Sequence, residues 1–328
     1  MKKSFVVLCL LVGLGLTAVA DSLSVDFESY ALGSVNGQDG WSSTGPYDQE
    51  VVLNGLGMAP ASFGSKSLRI SNAYTSGSFG DMTFTKSLVN EAGETLASNN
   101  GMSGGVRQKH FEAQFDMASA VPGAQQLGLH TSVSPDRGDG ARMAYLRFED
   151  NAGGIDVFAD DVQGTVPYDG VDCFTLICAN FTETLIATLD RSVKHSVKFS
   201  IDFIDGPSND VVKVYLDNVL KFTGKTWEDY YTYDPESADG SPSRTVDSLL
   251  FRTSGLAALN TLGHGFLFDN FSESSGPIMV GPPTDDDQCK KNGWKLFNNP
   301  AFKNQGACVS YIEQHEHDHV SHRNHSDR

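Results

Sequence analysis

The sequence predicts an all-β chain: a two-sheet antiparallel sandwich, followed by a small disulfide-closed C-terminal module. Three observations predict it. Val197, Phe199, Ile201 and Phe203 alternate with Lys198, Ser200 and Asp202, the period-2 pattern of a strand with one face on a core. Similar runs recur every ~8–15 residues between turns rich in Gly, Asp and Asn, the rhythm of a β-sandwich. The last two of the five cysteines, Cys289 and Cys308, bracket a short segment beyond the strand-rich region, and Cys173 and Cys178 lie near mid-chain.

Residues 1–20 read as a secretory signal. Met1-Lys2-Lys3 is a short basic start, Ser4 to Leu16 is nearly unbroken apolar sequence, and Ala18-Val19-Ala20 offers small residues before Asp21. The apolar run is too short to cross a hydrocarbon core, which needs about 20 residues. Removing the leader takes Cys9 with it and leaves an even number of cysteines, which in an exported chain reads as disulfides. Four cysteines allow three pairings, and proximity favours Cys173–Cys178 with Cys289–Cys308.

Strands are expected at Phe111–Met117, Arg142–Phe148, Ile155–Phe158, Val212–Leu216, Val219–Phe222, Ser248–Arg252 and Gly265–Phe271. Asp205-Gly-Pro-Ser-Asn-Asp210 and Asp217-Asn218 supply turns within a central meander. Only Phe181–Leu189 passes as a short helix, and it lacks a cap. The sandwich spans residues 21–276. Residues 277–288, with Gly281-Pro-Pro283 and Asp285 to Asp287, read as an acidic Pro-rich linker. A disulfide-closed module (289–313) and a His-rich disordered tail (314–328) complete the chain.

The formal net charge is −17, from 24 Lys+Arg against 41 Asp+Glu. That sign excludes nonspecific binding to nucleic acid or anionic membranes. Asn180-Phe-Thr182, Asn270-Phe-Ser272 and Asn324-His-Ser326 are sequons, and Arg137-Gly-Asp139 is a turn tripeptide of the adhesive kind.

Asp26-Phe-Glu28, Tyr30-Ala-Leu-Gly33 and Asn36-Gly-Gln-Asp-Gly-Trp41 resemble the opening of secreted concanavalin A-like jelly rolls of the laminin-G-like type. The stretch from His195 through Tyr215-Leu-Asp217 to Thr226-Trp-Glu-Asp-Tyr230 resembles their central meander. Phe268-Asp-Asn-Phe271 resembles the closing strand that pairs near the first. Cys289-Lys-Lys-Asn-Gly-Trp294 with Phe302-Lys-Asn-Gln-Gly-Ala-Cys308-Val resembles a small C-terminal cysteine motif of secreted bacterial proteins.

The resemblance implies a polysaccharide or glycoconjugate partner and an extracellular or cell-surface location. Retaining glucanases of that fold carry Glu-x-Asp-x-x-Glu or Glu-x-Asp-x-Glu on one strand, and this chain has no such run. Glu149-Asp150 and Glu228-Asp229 are adjacent pairs, which in a strand point to opposite faces. The reading is therefore a noncatalytic carbohydrate-binding protein. The alternatives are a hydrolase or lyase with an unrecognised active site, and a structural or adhesive matrix protein.

Trp227, Tyr230 and Tyr231 crowd one turn with Asp229. Aromatic rings stack on pyranose faces while a neighbouring carboxylate bonds the hydroxyls, so these four are the glycan-binding candidates. Glu28 and Asp269, with Asp26 nearby, fall on the strands that the resemblance pairs, and could hold a structural Ca²⁺. His315, His317, His319 and His322 concentrate imidazoles in the tail, where Zn²⁺, Cu²⁺ or Ni²⁺ could bind.

Overall fold

The computed structural model describes residues 21–55, 59–88, 108–136, 142–164, 179–204, 209–227, 230, 246–278 and 280–321. Fifteen strands are found there, and they form two antiparallel sheets. The first sheet contains β1 (Asp21–Val25), β3 (Asp48–Leu53), β4 (Lys66–Ser71), β6 (His110–Ser119), β11 (His195–Asp202), β12 (Val211–Leu216), β13 (Val219–Gly224) and β15 (Phe266–Gly276). The second contains β2 (Ser42–Thr44), β5 (Met82–Phe84), β7 (His130–Asp136), β8 (Leu146–Asn151), β9 (Gly154–Gly164), β10 (Ala179–Leu189) and β14 (Ser248–Arg252).

Strand order in the first sheet is β13-β12-β11-β6-β15-β4-β3, with β1 also on β15; in the second it is β10-β9-β8-β7-β14-β5-β2. The chain crosses between sheets at β1–β2, β2–β3, β4–β5, β5–β6, β6–β7, β10–β11, β13–β14 and β14–β15. Those crossings make the jelly-roll sandwich that the sequence predicts.

The period-2 runs carry the meander. Val197, Phe199 and Ile201 point into the core, opposite Leu216, Val214 and Val212 on β12 and Phe115, Ala113 and Phe111 on β6. Asp217 and Asn218 both have positive φ (51° and 64°) and join β12 to β13 as a two-residue hairpin, a turn that favours Asp and Asn. The expected helix at Phe181–Leu189 is instead β10, paired along β9 from Ala179↔Gly164 to Leu189↔Ile155 with one irregularity between Leu185 and Ala187. Thr182, Thr184 and Thr188 favour a pleated strand, and β9 supplies the hydrogen bonds that a short uncapped helix would lack.

An aromatic stack fills the space between the sheets. Phe115 lies over Phe271 with centroids 5.5 Å apart, Phe251 meets Phe268 at 5.0 Å, and Trp41 meets Phe27 and Phe271 at 5.3 and 5.5 Å. The chain closes on itself here. β1 pairs with the second half of β15 (Val25↔Phe271 to Asp21↔Ser275), as the resemblance implies, while β4 pairs with its first half (Phe266↔Ile70 to Phe268↔Leu68). Asn270, at φ 53°, sits at the break between them.

The C-terminal module is closed by Cys289–Cys308, with Cα atoms 5.8 Å apart. The two cysteines and Ile312 are buried against Trp294, Phe297, Phe302 and Val309. Cys173 and Cys178 lie outside the described residues. Hydrogen bonds draw part of the expected linker into the module: Asn298 bonds the backbone of Ile278 and Val280, and Asp285 Oδ1 accepts from Gln288 N at 3.1 Å to cap a short turn. A helix, α1 (Gln305–Ser321), runs into the segment read as a disordered tail, where no Gly or Pro interrupts residues 307–321.

Two stability experiments test this packing. Phe251→Ala should cost about 3–5 kcal/mol in urea unfolding, the usual loss for a buried aromatic. Glu273 lies two residues beyond Phe271 on β15 and is 1% exposed; burial, with the charge of Asp247 adding, pushes its carboxyl up to about 8. The folded state therefore keeps a proton that the unfolded chain releases above about 4.5, and stability falls as pH rises from there to about 8. Glu273→Gln should gain on the order of a few kcal/mol over wild type at pH 8 relative to pH 4.5. Equal pH slopes in the two proteins would show that Glu273 does not titrate in this way.

Candidate functional site

The second sheet turns Leu146, Phe148, Val157, Ile155 and Phe251 toward the core, so alternation places the intervening residues on its outward face. On β8 to β10 that face is a connected polar surface. Arg147 donates from Nε and Nη2 to the two carboxylate oxygens of Glu183 at 2.8 and 2.9 Å and also bonds Glu149. Its guanidinium lies 4.1 Å from the Phe158 ring centre. Asp156 accepts from Asn151 Nδ2 at 2.7 Å and from Thr188 Oγ1 at 2.5 Å.

Asp160 stands directly opposite Glu183 in the β9–β10 register. Burial, with the negative charge of Glu183 adding, pushes its carboxyl up to about 6, and its Oδ1 is buried without a hydrogen bond. Sequence reading missed this pair, because its members are 23 residues apart (183 − 160) and meet only through strand pairing.

An aromatic cluster adjoins the polar surface. Phe181 lies two residues before Glu183 on β10, and its ring meets Trp227 at 5.1 Å and Tyr230 at 5.4 Å. Trp227 also stacks on Tyr145 at 6.2 Å, and Arg142 lies 4.8 Å from its ring and 5.3 Å from that of Tyr145. The Trp227 amide donates to Met143 O at 2.9 Å, which holds the turn after β13 against the second sheet. Trp227 is only 5% exposed, whereas Phe181 is 48% exposed and Phe79, 6.0 Å from Arg142, is 69% exposed. The structure thus brings Trp227 and Tyr230 together as the sequence suggested, with Trp227 buried beneath its neighbours. Asp229, Tyr231 and the Arg137-Gly-Asp139 tripeptide lie outside the described residues.

Of the calcium candidates, Asp269 sits on β15 of the first sheet, whereas Glu28, expected on the first strand, lies in the turn that follows β1. Glu28 accepts from Ser65 N and Lys66 N at 2.7 and 3.1 Å and from the Ser65 hydroxyl, and these donors hold its carboxyl below the usual range. Asp269 is buried, and desolvation pushes it up to about 7, with the charges of Asp26, Glu28 and Asp116 adding. Its Oδ1 accepts from Asn270 N at 2.8 Å. No group of three or more His, Cys, Asp or Glu side chains that could hold a metal ion occurs among the described residues. In the tail, positions 315, 317 and 319 lie on α1, and His322 lies beyond the described residues.

No family model matches the chain, and no curated protein matches its sequence. Solved structures to which the chain is similar include a mutant of the alginate lyase Aly36B in complex with alginate trisaccharide, at 11% identity and a TM-score of 0.40, covering 77% of this chain and 97% of that one. An endo-1,3-beta-glucanase from Streptomyces sioyaensis matches at 12% identity and 0.39, covering 78% and 96%. A sialidase matches at 11% and 0.39, covering 82% of this chain, which spans only 19% of the sialidase.

The burial of Trp227 has an experimental consequence. Trp227→Ala should lower stability by about 3–5 kcal/mol in thermal or urea unfolding, as for other buried aromatics. Phe181→Ala, at a half-exposed position, should cost less than about 1.5 kcal/mol. A Trp227→Ala protein as stable as wild type would show that the ring is solvent-facing.

Proposed function

We propose that this is an exported, noncatalytic carbohydrate-binding protein of the laminin-G-like jelly-roll type, which uses the outward face of β8 to β10. The observation that carries the reading is the juxtaposition of exposed Phe181 with Tyr230, over a buried Trp227–Arg142 base, beside the Arg147–Glu183–Asp156 polar surface. A pyranose presents C–H groups to an aromatic ring and hydroxyls at its rim, and this surface offers partners for both. Trp227 serves as the floor that positions Phe181 and Tyr230. The Cys289–Cys308 bond fits an oxidising compartment and supports export.

A second reading, polysaccharide cleavage, draws on the Asp160–Glu183 pair. A carboxyl raised to about 6 beside a second carboxylate is the pattern of an acid and its partner. Glu183, however, has both oxygens bonded by Arg147, which occupies lone pairs that a nucleophile or base would use. Binding is therefore the better-supported role.

Mature protein should be screened against a panel of neutral and acidic polysaccharides by affinity electrophoresis, followed by calorimetry on any hit. Phe181→Ala and Tyr230→Ala should each weaken binding about tenfold with little change in melting temperature. Absence of binding to the whole panel by well-folded protein would sink the proposal. Release of reducing ends or unsaturated product, abolished by Asp160→Asn, would decide for the enzyme.

A further inference from the structure

Three of the crossings between sheets, β4–β5, β6–β7 and β14–β15, lie at one end of the sandwich. Ile70 near the end of β4 and Ser119 at the end of β6 both register with Phe266, where β15 begins. Residues 70–80, 117–135 and 253–268, which contain these crossings, hold no Lys, Arg, Asp or Glu, although 20% of the chain is charged. Leucines stand out on the loops instead: Leu127, Leu256, Leu259 and Leu262 are each between 61% and 89% exposed. A single exposed leucine is ordinary, but four on adjoining loops make an apolar patch.

Hydrogen bonds tie these loops together. Asn72 Nδ2 donates to Gly128 O at 2.9 Å and to Leu256 O at 3.1 Å, and Asn260 Nδ2 donates to Leu127 O at 3.1 Å. Ala258 N donates to Asn72 O at 2.8 Å, and a single 3-10 turn at Leu259–Thr261 bonds Thr261 N to Ala258 O at 2.9 Å. The polar atoms of the loops are thus spent on one another while the leucines face solvent. Charge at this end stands to one side, on the β10–β11 connection, where Arg191 pairs with Asp150 at 2.7 Å and Lys194 with Asp116 at 2.6 Å.

We propose that this leucine-tipped end docks on an electrically neutral lipid bilayer, with the leucines entering its interface. A loop can enter an apolar phase when its backbone groups are already bonded, and interfacial binding grows with the apolar area buried. The formal charge of −17 opposes anionic lipid, so the fitting surface is zwitterionic. A second copy of the chain fits less well. Four leucine side chains, each smaller than an aromatic, offer at most about 600 Å², below the ~800 Å² per partner of a stable interface. The loops also carry no charge that would fix the orientation of a protein partner. The patch lies at the end of the sandwich and not on the outward face of β8 to β10, so it does not depend on the carbohydrate reading.

The test floats mature protein with phosphatidylcholine vesicles on a density gradient, over a range of lipid concentrations. Wild type should bind, and adding phosphatidylglycerol to the vesicles should weaken binding through charge repulsion. Leu256→Asp and Leu259→Asp should each weaken binding about tenfold or more, because a charge then has to enter the interface. Leu53→Asp is the control: Leu53 is 58% exposed and pairs with Lys66 at the start of β4, away from the leucine loops. That variant should bind within about twofold of wild type, and all three positions are exposed, so the melting temperatures should hold. Failure of well-folded wild type to float with phosphatidylcholine would overturn the proposal, as would undiminished binding by a Leu256→Asp/Leu259→Asp double variant. Stronger binding on adding phosphatidylglycerol would overturn the choice of a neutral bilayer. A dimer in sedimentation velocity that the double variant abolishes would overturn it too, because a second copy would then cover the patch.

Discussion

The sandwich depends on one strand serving three neighbours. β15 runs beside β6 for most of its length, and its other edge is divided between β4 and β1. A straight strand cannot change partners without interruption, and the chain resolves this with an irregularity between Asp269 and Ser272 and with Asn270 in the left-handed region. Just before β15, Gly265 has φ 111°, and a Cβ there would come within 2.3 Å of the Ile70 carbonyl oxygen. Glycine is what lets the strand approach β4 so closely. Phe266, Phe268 and Phe271 then reach the core on either side of the kink, so the strand that closes the sheet also supplies the centre of the aromatic stack.

The same core shapes the outward face of the second sheet. With Phe148, Val157 and Phe251 committed inward, the alternate positions carry most of the charge that β8 and β9 can display. Arg147 neutralises part of it through Glu183 and Glu149, and Arg142 lies against the Tyr145 and Trp227 rings. Asp160 receives neither form of compensation as a hydrogen bond at its buried Oδ1. A face that carries both bonded and raised carboxyls within one pair of strands is chemically uneven, and this unevenness distinguishes it from an ordinary solvated sheet surface.

The parts that the sequence made legible are those where a local period has a single cause. Alternation at Val197–Phe203 arises from a half-buried strand, and Asp217-Asn218 from a tight hairpin, and both were readable without a partner strand. Legibility fails where pairing supplies the reason. β2 and β5 are three residues long, and Ser42, Ser43 and Thr44 carry no apolar signal. β10 looked helical because its exposed Phe181 and Leu185 have no core to alternate against. At the site, nearness along the chain revealed Trp227 and Tyr230. The Asp160–Glu183 and Phe181–Trp227 contacts are products of strand pairing and chain crossing, which no motif spacing records.

The pairing of Asp21 with Ser275 has a mechanical consequence. β1 and β15 are antiparallel, so the start of the sandwich and the point where the chain leaves for the disulfide-closed module lie side by side at one end of the pair. Tension applied between those two points would act across the ladder and load its hydrogen bonds one after another, as in the opening of a zipper. A pair loaded from opposite ends would instead share the force among all its bonds at once. Anchored through both ends, the fold would peel open from Asp21 toward Val25, and resistance would rise only on reaching the aromatic stack at Phe271.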